Sequence, residues 1–144
     1  MSNEPVSPTL SVVGDQVRIL LGGAQTGGTL AIVEDVTPPG GGPPPHVHRR
    51  EDESFIVLEG DVEFLVGDRW VRVAPGSGFF AKRDIPHTFR NAGSKPCRLL
   101  TTITPAGFEE FFVEVDRIGA NGPPTPDQLI AVGKRFGLEF LPPG

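Results

Sequence analysis

The feature that most limits how this chain can fold is its punctuation. From "VRILL" (17–21) to "CRLLTTIT" (97–104), short aliphatic and β-branched runs are cut repeatedly by Gly, Pro, Asp and Asn. "TLAIVEDV" (29–36), "SFIVLEG" (54–60), "VEFLV" (62–66), "RWVRV" (69–73), "GSGFFA" (76–81) and "PHTFRN" (86–91) complete the series. Each run suits a strand and each break a turn. "TPPGGGPPP" (37–45) can be neither helix nor central strand, because proline lacks the N–H that both ladders require. The count is about eight or nine short strands, a spacing that points to a sandwich, jelly roll or small barrel. The gaps leave no room for crossover helices, so the sheets are expected to be antiparallel.

After residue 104 the periodicity changes. "GFEEFFVEVDRIG" (107–119) sets Phe108, Phe111, Phe112, Val115 and Ile118 at helical intervals. Glu109, Glu110, Glu114 and Asp116 fall on the opposite side. "TPDQLIAVGKRFG" (125–137) is a second helix: Thr125 is its N-cap, Pro126 its first residue, Gln128 the partner in a capping box and Gly137 its stop. "LEFLPP" ends the chain as an edge strand. The expected class is all-β with two C-terminal helices, arranged as a flexible arm (1–10) and one domain (11–144) whose helical tail spans 107–137.

Composition narrows the partners. The chain has 144 residues, a net charge of −5 and scattered basic residues, which does not suit a nucleic-acid surface. "MSNEPVSPTL" lacks the basic start and apolar run of a signal peptide, and no segment reaches the ~20 apolar residues of a bilayer span. A single cysteine, Cys97, excludes an internal disulfide and fits a reducing, cytoplasmic setting. The 19 glycines and 16 prolines lie mostly in turns and at the termini, and regular apolar segments lie between them.

Three histidines carry the chemistry. In "PPPHVHRREDESF" (43–55), His46 and His48 are two apart, so a strand points both to one face. Alone, such a pair is more often coincidence than ligand. Glu53, Phe55 and Val57 alternate along the next strand, and that face is apolar apart from Glu53. A carboxylate there needs a partner or a metal. Glu51 and Asp52 fall in the intervening turn and are expected to be solvated, with Glu51 as the alternative ligand. In "PHTFRN", His87, Phe89 and Asn91 share a face. Three imidazoles and a carboxylate suit one divalent transition ion (Fe, Ni, Mn, Co, Zn or Cu) and leave coordination positions open. Phe55, Val57, Phe64 and Phe89 are candidate substrate contacts, or simply core.

At this point the sequence resembles the cupin family. The first cupin motif is matched by Gly40, His46, His48, Glu53 and Gly60. The second is matched by Gly76, His87 and Asn91, with Lys82 and Asp84 standing where Pro and Gly are usual. The motifs cover residues 40–60 and 76–91. The flanking strands are similar to those of small bacterial single-domain cupins likened to quercetin dioxygenases. The resemblance implies an antiparallel jelly-roll barrel, a metal held by His46, His48, Glu53 and His87, and a homodimer. It further implies a dioxygenase acting with O2 on an apolar or aromatic, enolisable small molecule, with Glu53 accepting a proton. Metal-dependent isomerisation, decarboxylation or cyclisation, or a binding module without turnover, are the alternatives.

Overall fold

The computed structural model describes residues 7–141. Residues 1–6 of the expected arm and the final Pro-Pro-Gly lie outside the described residues. Leu10, expected in the arm, instead opens β1 (Leu10–Val12) and is buried.

The chain continues through β2 (Asp15–Leu21), a one-turn helix α1 (Gly23–Thr26), β3 (Ala31–Thr37), β4 (His46–His48) and β5 (Asp52–Glu59). It runs on through β6 (Val62–Val66), β7 (Arg69–Val73), β8 (Gly78–Ala81), β9 (Phe89–Asn91) and β10 (Cys97–Thr104). Two helices, α2 (Glu109–Gly119) and α3 (Pro126–Arg135), and the closing strand β11 (Leu138–Phe140) follow. Every named strand pairing is antiparallel, as the short connections required. Among the described residues the strands divide into three sheets, ordered β1-β2-β3-β10-β5-β8, β7-β6-β9 and β11-β4, rather than one continuous wall.

Alternation decides which side chains are enclosed. Along β10, Cys97, Leu99, Thr101 and Ile103 are buried and their neighbours are half-buried. Their partners on β5 put Val57 beside Leu99, Phe55 beside Thr101 and Glu53 beside Ile103. The three-stranded sheet lays Phe64 and Phe89 against Phe55, with ring centroids 5.1 and 6.1 Å away. All four apolar residues singled out from the sequence, Phe55, Val57, Phe64 and Phe89, are therefore enclosed.

Turn chemistry holds the strands in register. Gly60 adopts φ +102, and a Cβ there would stand 2.7 Å from that of Cys97, so only glycine fits between β5 and β6. Asn91 donates to the carbonyls of Thr37 and Lys95 and accepts from the Gly93 N–H. The last asparagine of the second motif thus ties the end of β3 to the β9–β10 connection. At Asp84, where the motif usually has glycine, the backbone is left-handed at φ +66. Asp tolerates that conformation better than most residues, so the turn keeps its shape without the glycine.

The helices pack against the buried face of the large sheet. Phe108, Phe111 and Val115 pack with Leu10, Val17, Ala31, Val33 and Ile103, and Asp116 accepts the Ser11 N–H, which fastens α2 to β1. Glu109 departs from its expected solvent-facing position. It is buried and accepts the N–H groups of Gly23 and Gly107 at 2.7 and 2.6 Å. A carboxylate in that place satisfies backbone donors that the turn would otherwise bury unpaired. The capping box on α3 forms as read: Thr125 Oγ1 accepts the Gln128 N–H, and Gln128 Oε1 accepts the Thr125 N–H. Among the described residues no helix is long and apolar enough to cross a membrane.

Candidate metal centre

His46 and His48 leave β4 on one face, and both are buried. β4 is held on one side by β11, which pairs Leu138 with His48 and Phe140 with His46. On the other side a reciprocal backbone bridge joins His46 to His87, with N···O distances of 3.1 and 3.0 Å. Glu53 enters from β5. The structure thus brings His46, His48, Glu53 and His87 together, with one donor atom from each lying within 4.8 Å of all the others.

The outward ring nitrogens settle which atoms face the centre. His46 Nδ1 donates to the Pro44 carbonyl at 2.8 Å, and His87 Nδ1 lies 3.4 Å from the Ile85 carbonyl. A carbonyl only accepts, so each Nδ1 carries the proton and each Nε2 turns a lone pair inward. Burial, followed by the neighbouring His87 and His48 imidazoles, lowers the His46 pKa to about 4, so this ring is neutral and free to ligate.

Glu53 Oε1 stands 2.6 Å from His48 Nε2 and 3.3 Å from His87 Nε2. These are ion-pair contacts without the alignment of a hydrogen bond, and among the described residues Glu53 Oε1 and His87 Nε2 are buried with no hydrogen-bond partner. Buried polar atoms are rarely orphaned. Orphans converging on one point fit a cation, and the N3O donor set suits a divalent transition ion. The site also asks for positive charge. Burial alone would lower the His48 pKa, but Glu53 and Glu51 outweigh it and raise it to about 9. Burial likewise opposes ionisation of Glu53, yet His48 and His87 hold its pKa well below the usual carboxylate range. The four residues could hold a metal ion, which would supply that charge in place of the His48 proton.

Glu51 corrects the sequence reading. Expected to be solvated, it is only 3% exposed, and Oε1 lies 3.1 Å from His48 Nδ1. The Arg49-Arg50 turn sends its own side chains outward and folds Glu51 back beneath His48. Asp52, also assigned to the turn, opens β5 half-exposed and accepts the Arg83 N–H and guanidinium. The i, i+3 spacing of His48 and Glu51 was the only signal for the contact.

Aromatic side chains surround the ligands. Phe108 meets His48 edge-on at 4.5 Å, and Phe55 lies 6.1 Å from His87. Phe79 stacks on Phe64 at 4.4 Å. A cleft of about 260 Å³ reaches His87 between Leu65, Phe79, Phe80, Ile85 and Pro86.

Known proteins resemble this chain in sequence and fold. A family model described as a cupin domain matches residues 34–103. Quercetin 2,3-dioxygenase from Bacillus subtilis (strain 168) is 26% identical over 102 residues, covering 70% of this chain but only 30% of that protein. A solved structure described as a predicted oxalate decarboxylase from Thermotoga maritima superposes with a TM-score of 0.62 at 22% identity, over 73% of this chain and 96% of that one. The polyketide cyclase RemF from Streptomyces resistomycificus superposes with a TM-score of 0.60 at 24% identity, over 72% and 80% of the two chains. The two structures share the fold and differ in their chemistry. With both histidine motifs inside the matched segment, residues 34–103 form a cupin domain.

Proposed function

We propose that this chain is a metal-dependent cupin enzyme that binds one divalent transition ion through His46, His48, Glu53 and His87 and dioxygenates a small enolisable or aromatic molecule. The observation that carries the reading is the pair of orphaned, buried, inward-facing atoms, Glu53 Oε1 and His87 Nε2. When held by these four residues, the ion would supply Lewis acidity toward a substrate oxygen and toward O2. Glu53, ionised and buried, would take the proton that the substrate releases. Phe55, Phe64, Phe79 and Phe89 would exclude water and present flat apolar walls to the substrate.

The lining of the cleft bears on the substrate. The cleft beside His87 is lined mainly by apolar side chains, Leu65, Phe79, Phe80, Ile85 and Pro86, which favours a flat apolar substrate over a free sugar. The likeness to quercetin 2,3-dioxygenase supports the oxygenase class, and it covers under a third of that relative's length. A homodimer belongs to the same proposal, because Ile56, Leu58 and Phe80 expose apolar side chains on β5 and β8.

Elemental analysis and O2 uptake test the reading. Protein isolated without added metal should carry up to one divalent ion per chain and consume O2 with a 1,3-dione or a flavonol. Glu53→Gln should bind the ion more weakly and lose turnover. No metal after reconstitution would end the proposal. Tight ligand binding without O2 uptake would favour the non-catalytic module.

A further inference from the structure

We propose that Glu51 is a positioning residue that locks His48 with Nε2 toward the metal, and that the C-terminal segment holds Glu51 in place to do so. The inference rests on the metal site proposed above and adds to it a residue outside the ligand set.

The three histidines are anchored differently. His46 and His87 give their Nδ1 protons to neutral backbone carbonyls, Pro44 and Ile85. His48 faces a carboxylate, Glu51, at 3.1 Å, with both side chains buried. A carboxylate acceptor fixes the imidazole tautomer more firmly than a carbonyl and makes the opposite nitrogen a stronger donor to a metal. With Glu53, it also places a second carboxylate beside three imidazoles.

Glu51 owes its place to residues far along the chain. The Arg49 N–H donates to the Gly137 carbonyl at 2.8 Å, and the Arg50 guanidinium donates to the Arg135 carbonyl at 2.9 Å. Arg49 also spans Asp84 and Glu139 at 3.1 and 2.8 Å. Arg50 packs directly over Gly137, where φ is +72 and a Cβ would come within 2.9 Å of Arg50 Cγ. The turn is therefore seated on the α3–β11 junction, and the fold of that junction sets the position of the Glu51 carboxylate.

Two measurements on the full chain test this, with zinc as the probe. In zinc-loaded, 15N-labelled wild type, the His48 ring proton should reside on Nδ1 and resonate at lower field than that of His46. A His48 proton on Nε2 would overturn the proposal without recourse to any variant. In chelator competition, Glu51→Ala should weaken zinc affinity about 10–100-fold. Glu51→Gln keeps an acceptor in place and should recover most of that loss. Glu51→Ala within twofold of a tightly binding wild type would sink the role of Glu51 and leave the metal site standing. A wild type that takes up no zinc would sink both.

Discussion

Two apolar clusters meet in this molecule, and they are built from different materials. One gathers Leu10, Val17, Ala31, Val33, Ile103, Phe108, Phe111, Val115, Val132 and Leu138, joining the first strands to the helical tail. The other, with Phe55, Val57, Val62, Phe64, Val73, Phe89, Cys97 and Leu99, belongs to the strands alone. The histidines lie between them: His48 touches Phe108 of the first, and His87 neighbours Phe55 of the second. Asp35 occupies a similar boundary, placed on β3 two residues from Val33 and paired across the sheet with Leu99. Polar groups fill the seam, and apolar groups hold its two sides. The first cluster ties the helical tail to the strands and touches the site through Phe108, and the second walls the site on its His87 side.

That division can be broken by substitution. The largest effect is expected at the seam. Metal at a thousandfold above Kd should stabilise wild type by about 4 kcal/mol, and His87→Ala should erase that gain while the metal-free melting temperature moves little. Differential scanning calorimetry with and without metal reads both quantities. Phe111→Ala, in the tail cluster, should cost about 3–5 kcal/mol in metal-free and metal-loaded protein alike and leave the metal increment intact. If Phe111→Ala abolished metal binding in the folded protein, the separation of roles would be wrong.

A smaller effect sharpens the description of the seam. Burial, then the charge of Asp15 and a hydrogen bond with it, raises the Asp35 pKa well above the ordinary carboxylate range. The folded chain therefore keeps a proton that the unfolded chain releases near pH 4. The stability this contributes is complete below that pH and is lost as pH rises through the elevated folded value. Urea midpoints of wild type should fall across this window, and Asp35→Asn should flatten the fall. An unchanged slope would show that Asp35 is ionised in the fold. The smallest effect is expected farthest from the seam, where Thr125→Ala should cost about 1 kcal/mol through the lost α3 cap, with metal affinity unchanged.

Much of this was legible in the sequence because it depends on short-range periodicity. Alternation put His46 with His48 and Glu53 with Phe55, and helical spacing put Phe111 with Val115. The α3 capping box spans only three residues. What escaped depends on contacts distant along the chain. Glu51 is buried because Arg49 and Arg50 are tied to residues 135–139, and no local pattern announces that. Glu109 is buried because α1, a single turn inside what reads as a glycine-rich bend, presents an unpaired N–H to it. The departure at Asp84 changes little, because the turn needs a backbone conformation rather than a particular side chain.

The pairing of β4 with β11 bears on how the protein matures. Arg49 and Glu139, which join the ends of those strands, lie 90 residues apart. During synthesis both histidine motifs emerge well before the segment that edges the first of them. A nascent chain would then own every donor atom yet lack the scaffold that aims two of them. Capture of an ion at the proposed site would then have to follow docking of the tail.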